Sequence, residues 1–499
     1  MKHAIIRISA LTLSLLLLLM IIACGDSSSN EKDTAATDTS KATLQETEIH
    51  TNLPDETLTD TPVEAKTEAP TEVPTSADKD TVSEDTSAEE PVETQPETSA
   101  EIVTSEETNT SDVILTPGKT EMSAEYIPLR NALMDYYLAM FKDIAKDGSE
   151  NVLYSPLSVF SATAMVTEGA KGDTLAELES LLGISRSHLP KAYGLYVGNQ
   201  GESSQLLSAN SLWIDTHEAM TVKNDTIEKI QSAYGAGVFN LDLQAPETLE
   251  QLNGWISDHT KGRIPKMLDE INGDSRLMLV NALSFDAEWG VSYTEYQQKD
   301  GSFKNADGTS SRVTMLTGIE DFYIEDKNAA GFYKLYKSSE DGKRYAFAAI
   351  LPKEGMTPAE YLATLDGEGF RNLLYNYTDE VILQTKLPAF KAETSYELSK
   401  TYQNLGCKIP FTPSADFSDL AVSENSICID SIIHKAFIEV DALGTKAGAS
   451  TIISMPEGEA PGTEIIKEIY LDRPFIYMIM DTETGLPVFM GITSTMPNK

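Results

Sequence analysis

Residues 444–464 read GTKAGASTIISMPEGEAPGTE and carry two instructions at once. As far as Met455, small and β-branched residues alternate as they do in a strand meant for burial. From Pro456 onward Pro, Gly and Glu dominate, and nothing is left to bury. One continuous stretch is therefore written partly as buried strand and partly as exposed loop.

The sequence on either side is strand-like. ICIDSIIHKAFIEV (427–440) leads into the stretch, and FIYMIMDTETGLPVFMGIT (475–493) follows it as two apolar runs around a polar turn at Gly485, the pattern of a hairpin. Further β-like runs lie upstream: RLMLVNALSF (276–285), RYAFAAILP (344–352) and VILQTKLPAF (381–390). Helical patterns come earlier. Leu133, Tyr137, Met140, Phe141 and Ile144 share one helical face, Gly148 marks the stop, and a second helix is expected after Ser155-Pro156, since Pro suits a first helical turn. Helices mostly first and strands mostly later predict an α+β fold with mixed or antiparallel sheets.

The N-terminal part of the 499-residue chain has another character. Lys2 and Arg7 precede an apolar run from Leu11 to Ile22, short for a membrane span and flanked as in a signal peptide. The run ends in Ile-Ile-Ala-Cys-Gly (21–25), which resembles the lipobox of bacterial lipoproteins. By that resemblance residues 1–23 are removed and Cys24 carries the lipid, with several acyl chains giving stable anchoring. From Gly25 to Gly118 there is no aromatic residue, and 24 acidic against 4 basic side chains give a net charge of −20. Such composition cannot offset its own chain entropy, so residues 24–118 are expected to form a disordered acidic tether.

Residues 119–499 contain no second low-complexity break and are expected to form one large domain. They hold −22 of the total charge of −40, which argues against nucleic acid, a polyanionic activator, or flat docking on anionic lipid. With Cys24 acylated, Cys407 and Cys428 are expected as free thiols, because three cysteines make no disulfide framework. No nucleophile elbow, zinc-binding His pair, phosphate loop or Cys-x-x-Cys pair is present, so neither catalyst, metal nor cofactor is implied. His434 lies in a strongly apolar strand pattern and is read as a hydrogen-bonded core histidine.

Seven phrases in order then carry a resemblance: NVLYSPLS (151–158), TEGAKGDTLAEL (167–178), NGWISDHTKGRIPKML (253–268), LVNALSFDAEW (279–289), LPAFK (387–391), HKAFIEV (434–440) and the paired DRPFIYMI and GLPVFMG near the end. Together they resemble the serpin family of serine and cysteine protease inhibitors, over essentially all of residues 120–499. The resemblance implies an α+β fold of three β-sheets and about nine helices, with an exposed reactive-centre loop near the C-terminus. It further implies a suicide-substrate mechanism. A target protease attacks the loop and forms a covalent acyl complex, the cut loop inserts as a new strand of the largest sheet, and the protease is distorted before it deacylates.

By the same resemblance, Gly444 and Thr445 match the hinge, followed by the small residues Ala447, Gly448, Ala449 and Ser450. Ser158, Asn281 and His434 match the shutter beneath the sheet, and Trp289 the breach at its top. Ala442 and Leu443 differ from the charged residues usual just before the hinge. Inserted as a strand, Thr445, Ala447, Ala449, Thr451, Ile453 and Met455 would point to one face, and Lys446, Gly448, Ser450, Ile452 and Ser454 to the other. Counting forward from the hinge puts the cut at Gly458-Glu459; counting back from Pro474 puts it at Thr463-Glu464; Met455 is a third candidate. None is Arg or Lys, which favours subtilisin-, elastase- or papain-like targets. The expected protein is a monomeric inhibitor, lipid-anchored to the cell envelope and facing outward, with a non-inhibitory surface binding module as the alternative.

Overall fold

The computed structural model describes residues 122–148, 150–197, 205–216, 221–273, 275–339, 342–445 and 465–499. The signal segment, Cys24 and the tether lie outside them. So do Ala447, Gly448, Ala449, Ser450 and the candidate bonds at Met455, Gly458-Glu459 and Thr463-Glu464.

The first helix runs Ile127–Ile144, beginning earlier than its apolar spacing suggests because Pro128 sits comfortably in its first turn. It buries Leu133, Tyr137, Met140 and Phe141, and Gly148, at φ +66°, lies four residues beyond its end. The helix Pro156–Glu168 begins on Ser155, whose hydroxyl accepts from the Ser158 backbone N–H at 3.2 Å, and all its residues are buried. A helix buried on every side reads as nearly continuous small and apolar sequence.

Nine α-helices and four sheets are present among the described residues, in the α+β arrangement expected. One seven-stranded antiparallel sheet contains the terminal hairpin Phe475–Asp481 and Pro487–Thr493, closed by Gly485 at φ +69°. A four-stranded sheet is formed by Ile465–Tyr470, Val381–Pro388, Ser310–Glu320 and Gln298–Lys304. The run 381–390 thus divides, and Phe390–Glu397 continues into a different sheet. A two-stranded ribbon, Thr221–Val222 with Ala421–Val422, adds a sheet to the three expected.

The sheet that positions the site contains, in order, Gly237–Leu241, Leu206–Asp215, Leu277–Phe285, Ser431–Val440 and Phe390–Glu397. Its central neighbours Leu277–Phe285 and Ser431–Val440 pair in parallel, from Met278 opposite Ser431 to Ser284 opposite Phe437. The strand begins at Ser431: just before it the Ile429 N–H turns away to Pro410 O, while the Asp430 N–H already donates to Leu277 O of the neighbouring strand and its carboxylate accepts from Ser275.

Both faces of this sheet are covered. Leu277, Leu279, Leu283, Ile432, Ala436 and Ile438 belong to the main core; Met278, Val280 and Ala282 pack in a smaller core with Leu252 and Ile256 of the helix Pro246–His259. Every residue of Leu277–Phe285 is buried, hence its unbroken apolar look in the sequence.

Candidate functional site, a parallel seam with an open upper end

The seam between Leu277–Phe285 and Ser431–Val440, with its upper end, carries Ser158, Asn281, His434, Trp289, Gly444 and Thr445. Midway along it, Asn281 and His434 stand directly opposite each other. The Ser155 N–H donates to His434 Nε2 at 3.0 Å, and His434 Nδ1 lies 3.2 Å from Ser158 Oγ. An Nε2 that accepts leaves the proton of the neutral ring on Nδ1, facing Ser158. Ser158 in turn donates to Asn281 Oδ1, and Asn281 Nδ2 donates to Asn210 Oδ1. Asn210 Nδ2 donates onward to the Tyr193 hydroxyl at 3.1 Å, which donates to Tyr234 O at 3.2 Å. Hydrogen bonds thus run in one direction from helix to sheet to helix through fully buried groups.

Burial holds the His434 imidazole pKa down to about 3. Geometry agrees, since a proton on Nε2 would set one donor against the Ser155 donor. The residue is a structural histidine at neutral charge, with no substrate-accessible surface.

At the upper end the two strands part. Gly444–Thr445 forms a short strand between them, antiparallel to both: Gly444 opposite Glu288, Thr445 opposite Ala287 on one side and Val440 on the other. A Cβ on Gly444 would lie 2.2 Å from Ala287 O, so this position accepts only glycine without a shift of backbone. Thr445 is fully buried, and its hydroxyl shares a 2.6 Å hydrogen bond with Tyr336.

The turn preceding this short strand is held by its backbone. The Trp289 indole donates to Asp441 O at 2.9 Å, the Tyr293 N–H to Ala442 O at 2.8 Å, and the Trp289 N–H to Leu443 O at 2.9 Å. The Asp441 carboxylate accepts from the Leu443 and Gly444 N–H groups at 2.7 and 3.1 Å. Because the clamp grips carbonyls and not side chains, it tolerates Ala442 and Leu443 where charged residues are usual. Trp289 is itself wedged in place, stacked on Tyr336 at 4.4 Å between ring centres. A Glu288–Lys337 ion pair stands beside the slot.

Sequence reading missed Asp441, Asn210 and Tyr336. The first has a local signal, an Asp followed three residues later by Gly, as in an Asx turn. The other two have none, because each meets its partner only through cross-strand pairing. Cys407 is buried and Cys428 half-buried, and both are free thiols.

With this geometry in hand, comparison with known proteins is informative. Residues 131–495 match the family model described as Serpin (serine protease inhibitor). An uncharacterised serpin-like protein of Thermococcus kodakarensis is 30% identical over 379 residues, covering 73% of this chain and 85% of its own length. Serpin-Z1A of Triticum aestivum is 28% identical, covering 69% and 90%. Among solved structures, the thermophilic serpin Tengpin in its native state is 34% identical with a TM-score of 0.68, covering 75% of this chain and 95% of that one. Its latent state gives 0.63 at 32% identity, covering 76% and 99%.

Proposed function

The chain belongs to the serpin family, whose members are generally protease inhibitors and not enzymes, and we propose that it inhibits a serine or cysteine protease as a suicide substrate by inserting its cut loop into the parallel seam. The observation that carries this reading is the antiparallel pairing of Gly444–Thr445 with both flanking strands at the top of the seam. A strand continued from there would be antiparallel to each neighbour, replacing a parallel contact by two antiparallel ones, the more stable arrangement.

Continuing the register supports the same conclusion. Ala447 would stand opposite Phe285 and Met455 opposite Leu277, so the strand-like half of 444–464 matches the length of its neighbour. The odd-numbered residues would face the main core, to which Leu277, Leu279, Leu283 and Phe285 belong. Thr451 would enter between Asn281 and His434, placing a hydroxyl where the inserting strand parts a polar pair. Cleavage would fall beyond that strand, at Gly458-Glu459 or Thr463-Glu464, or at its edge at Met455.

The lipobox-like ending at Cys24 and the acidic segment 24–118 support an inhibitor lipid-anchored to the cell envelope by a tether and facing outward, into the periplasm or the exterior. Cys24→Ser is expected to move the protein from the membrane fraction to the soluble one; equal partition of the two forms removes the anchor.

The inhibitory reading is tested by incubation with subtilisin-, elastase- and papain-like proteases. A covalent complex that survives denaturant is expected, together with a cut chain much more heat-stable than the intact one. Cleavage without complex and without stabilisation across the panel refutes it and leaves the non-inhibitory binding module.

A further inference from the structure

The strand Ala329–Leu335 carries a lysine among aromatic and apolar neighbours, Phe332-Tyr333-Lys334-Leu335-Tyr336, and Lys334 is only 5% exposed. A buried ammonium is costly unless it is paired and enclosed. Here it is both. Lys334 Nζ lies 3.1 Å from Glu320 Oε1, at the buried end of Ser310–Glu320, and 4.3 and 5.4 Å from the ring centres of Tyr293 and Trp289. The Tyr293 hydroxyl donates to the same Glu320 oxygen at 3.2 Å. A Cβ on Gly318 would lie 3.0 Å from the Tyr293 ring and 3.3 Å from the Glu320 carboxylate, so the backbone of that strand closes the box.

The two aromatic walls of this box are the residues that grip the turn before Gly444–Thr445: Trp289 bonds the Asp441 and Leu443 carbonyls, and Tyr293 that of Ala442. Lys334 also shares a strand face with Tyr336, the partner of Thr445. Glu320, on the other side, belongs to the four-stranded sheet in which Ser310–Glu320 and Ile465–Tyr470 flank Val381–Pro388. Buried ion pairs add little net stability, since well-packed apolar residues in their place are often no worse, so stability alone does not account for this one. We infer that the Lys334–Glu320 pair is a positioning latch: it holds Trp289 and Tyr293 against the four-stranded sheet and so sets how firmly Gly444–Thr445 is gripped at the top of the seam. For inhibition the consequence, which rests on the insertion reading above, is control over when that grip yields.

Hydrogen exchange and urea unfolding of the uncut full-length chain test the latch. In Lys334→Met combined with Glu320→Leu the volumes stay similar and the Tyr293 hydroxyl keeps Thr385 beside it, so the urea midpoint should remain close to that of the wild type. Exchange at Gly444 and Thr445 should nevertheless quicken roughly three- to tenfold, with Asn281 and His434 unchanged. A merely structural pair would instead lower the midpoint and speed all these amides together, and that result overturns the inference, as does unchanged exchange at 444–445. Tyr293→Phe severs just the tie to Glu320 and should quicken the same amides by a smaller factor; no change there overturns the latch even if the double variant does not fold. On standing, the double variant should lose its capacity to trap protease faster than the wild type, and equal rates remove control of release. If the wild type never traps protease, the insertion reading falls, while exchange at 444–445 still decides the latch.

Discussion

The middle and the upper end of a single seam are held by different physics. Midway, around Asn281 and His434, closure depends on a file of buried hydrogen bonds through Ser158, with Asn210 behind it. At the top, the strands are already apart, and the gap is occupied by two residues of the chain that would continue into it, under a stacked Trp289–Tyr336 pair. Hydrogen bonds between buried groups are expensive to leave unmade yet can be exchanged for others, which under the proposed insertion would let the middle open once and be satisfied again. Aromatic stacking and a backbone clamp hold the top apart in one register.

The sharpest way to break the comparison is at the middle. Asn281→Leu keeps a similarly branched side chain but takes away the acceptor of the Ser158 O–H and the amide donor to Asn210 Oδ1, and should cost the uncut protein about 2–4 kcal/mol in urea unfolding. A loss below about 1 kcal/mol would mean that apolar packing, not the polar file, closes the seam.

Acid should act at the same point. His434 is held down to about 3 when folded against an ordinary 6.5, so below pH 6.5 the unfolded chain takes up a proton that the native one refuses. This contribution is complete above pH 6.5 and is lost as pH falls towards about 3, at up to about 1.4 kcal/mol per pH unit. A His434→Gln variant should show a correspondingly flatter stability profile between pH 6 and 4, and identical slopes would detach the histidine from acid sensitivity.

The smallest effect is expected at the top. Tyr336→Phe removes the partner of the Thr445 hydroxyl and should cost about 1 kcal/mol, read out as faster hydrogen exchange at 444–445 with the middle of the seam unchanged. Equal acceleration at Asn281 and His434 would show that the two ends act as one unit.

Much of this was readable in advance, for reasons that are local. Ser155-Pro156 announces a helix start whether or not anything packs on it, and the Ile432–Val440 alternation of buried and half-buried residues shows in the sequence because a strand has period two. The ordered phrases from Asn151 to Gly491 led to the family, and with it to Ser158, Asn281, His434, Trp289, Gly444 and Thr445. The apolar run extends back to Ile427 while the strand starts at Ser431, because apolar pattern alone does not reveal that the Ile429 N–H is already bonded to Pro410 O.

By itself, then, the sequence announced the first two helices, several of the core strands and the split character of 444–464. Only the tertiary structure decided that Thr445 meets Tyr336 from 109 residues away and that the clamp on the hinge is made of carbonyls. The physical reason is that local patterns follow from a residue and its near neighbours, whereas register between distant strands is set by packing on both faces of the sheet at once.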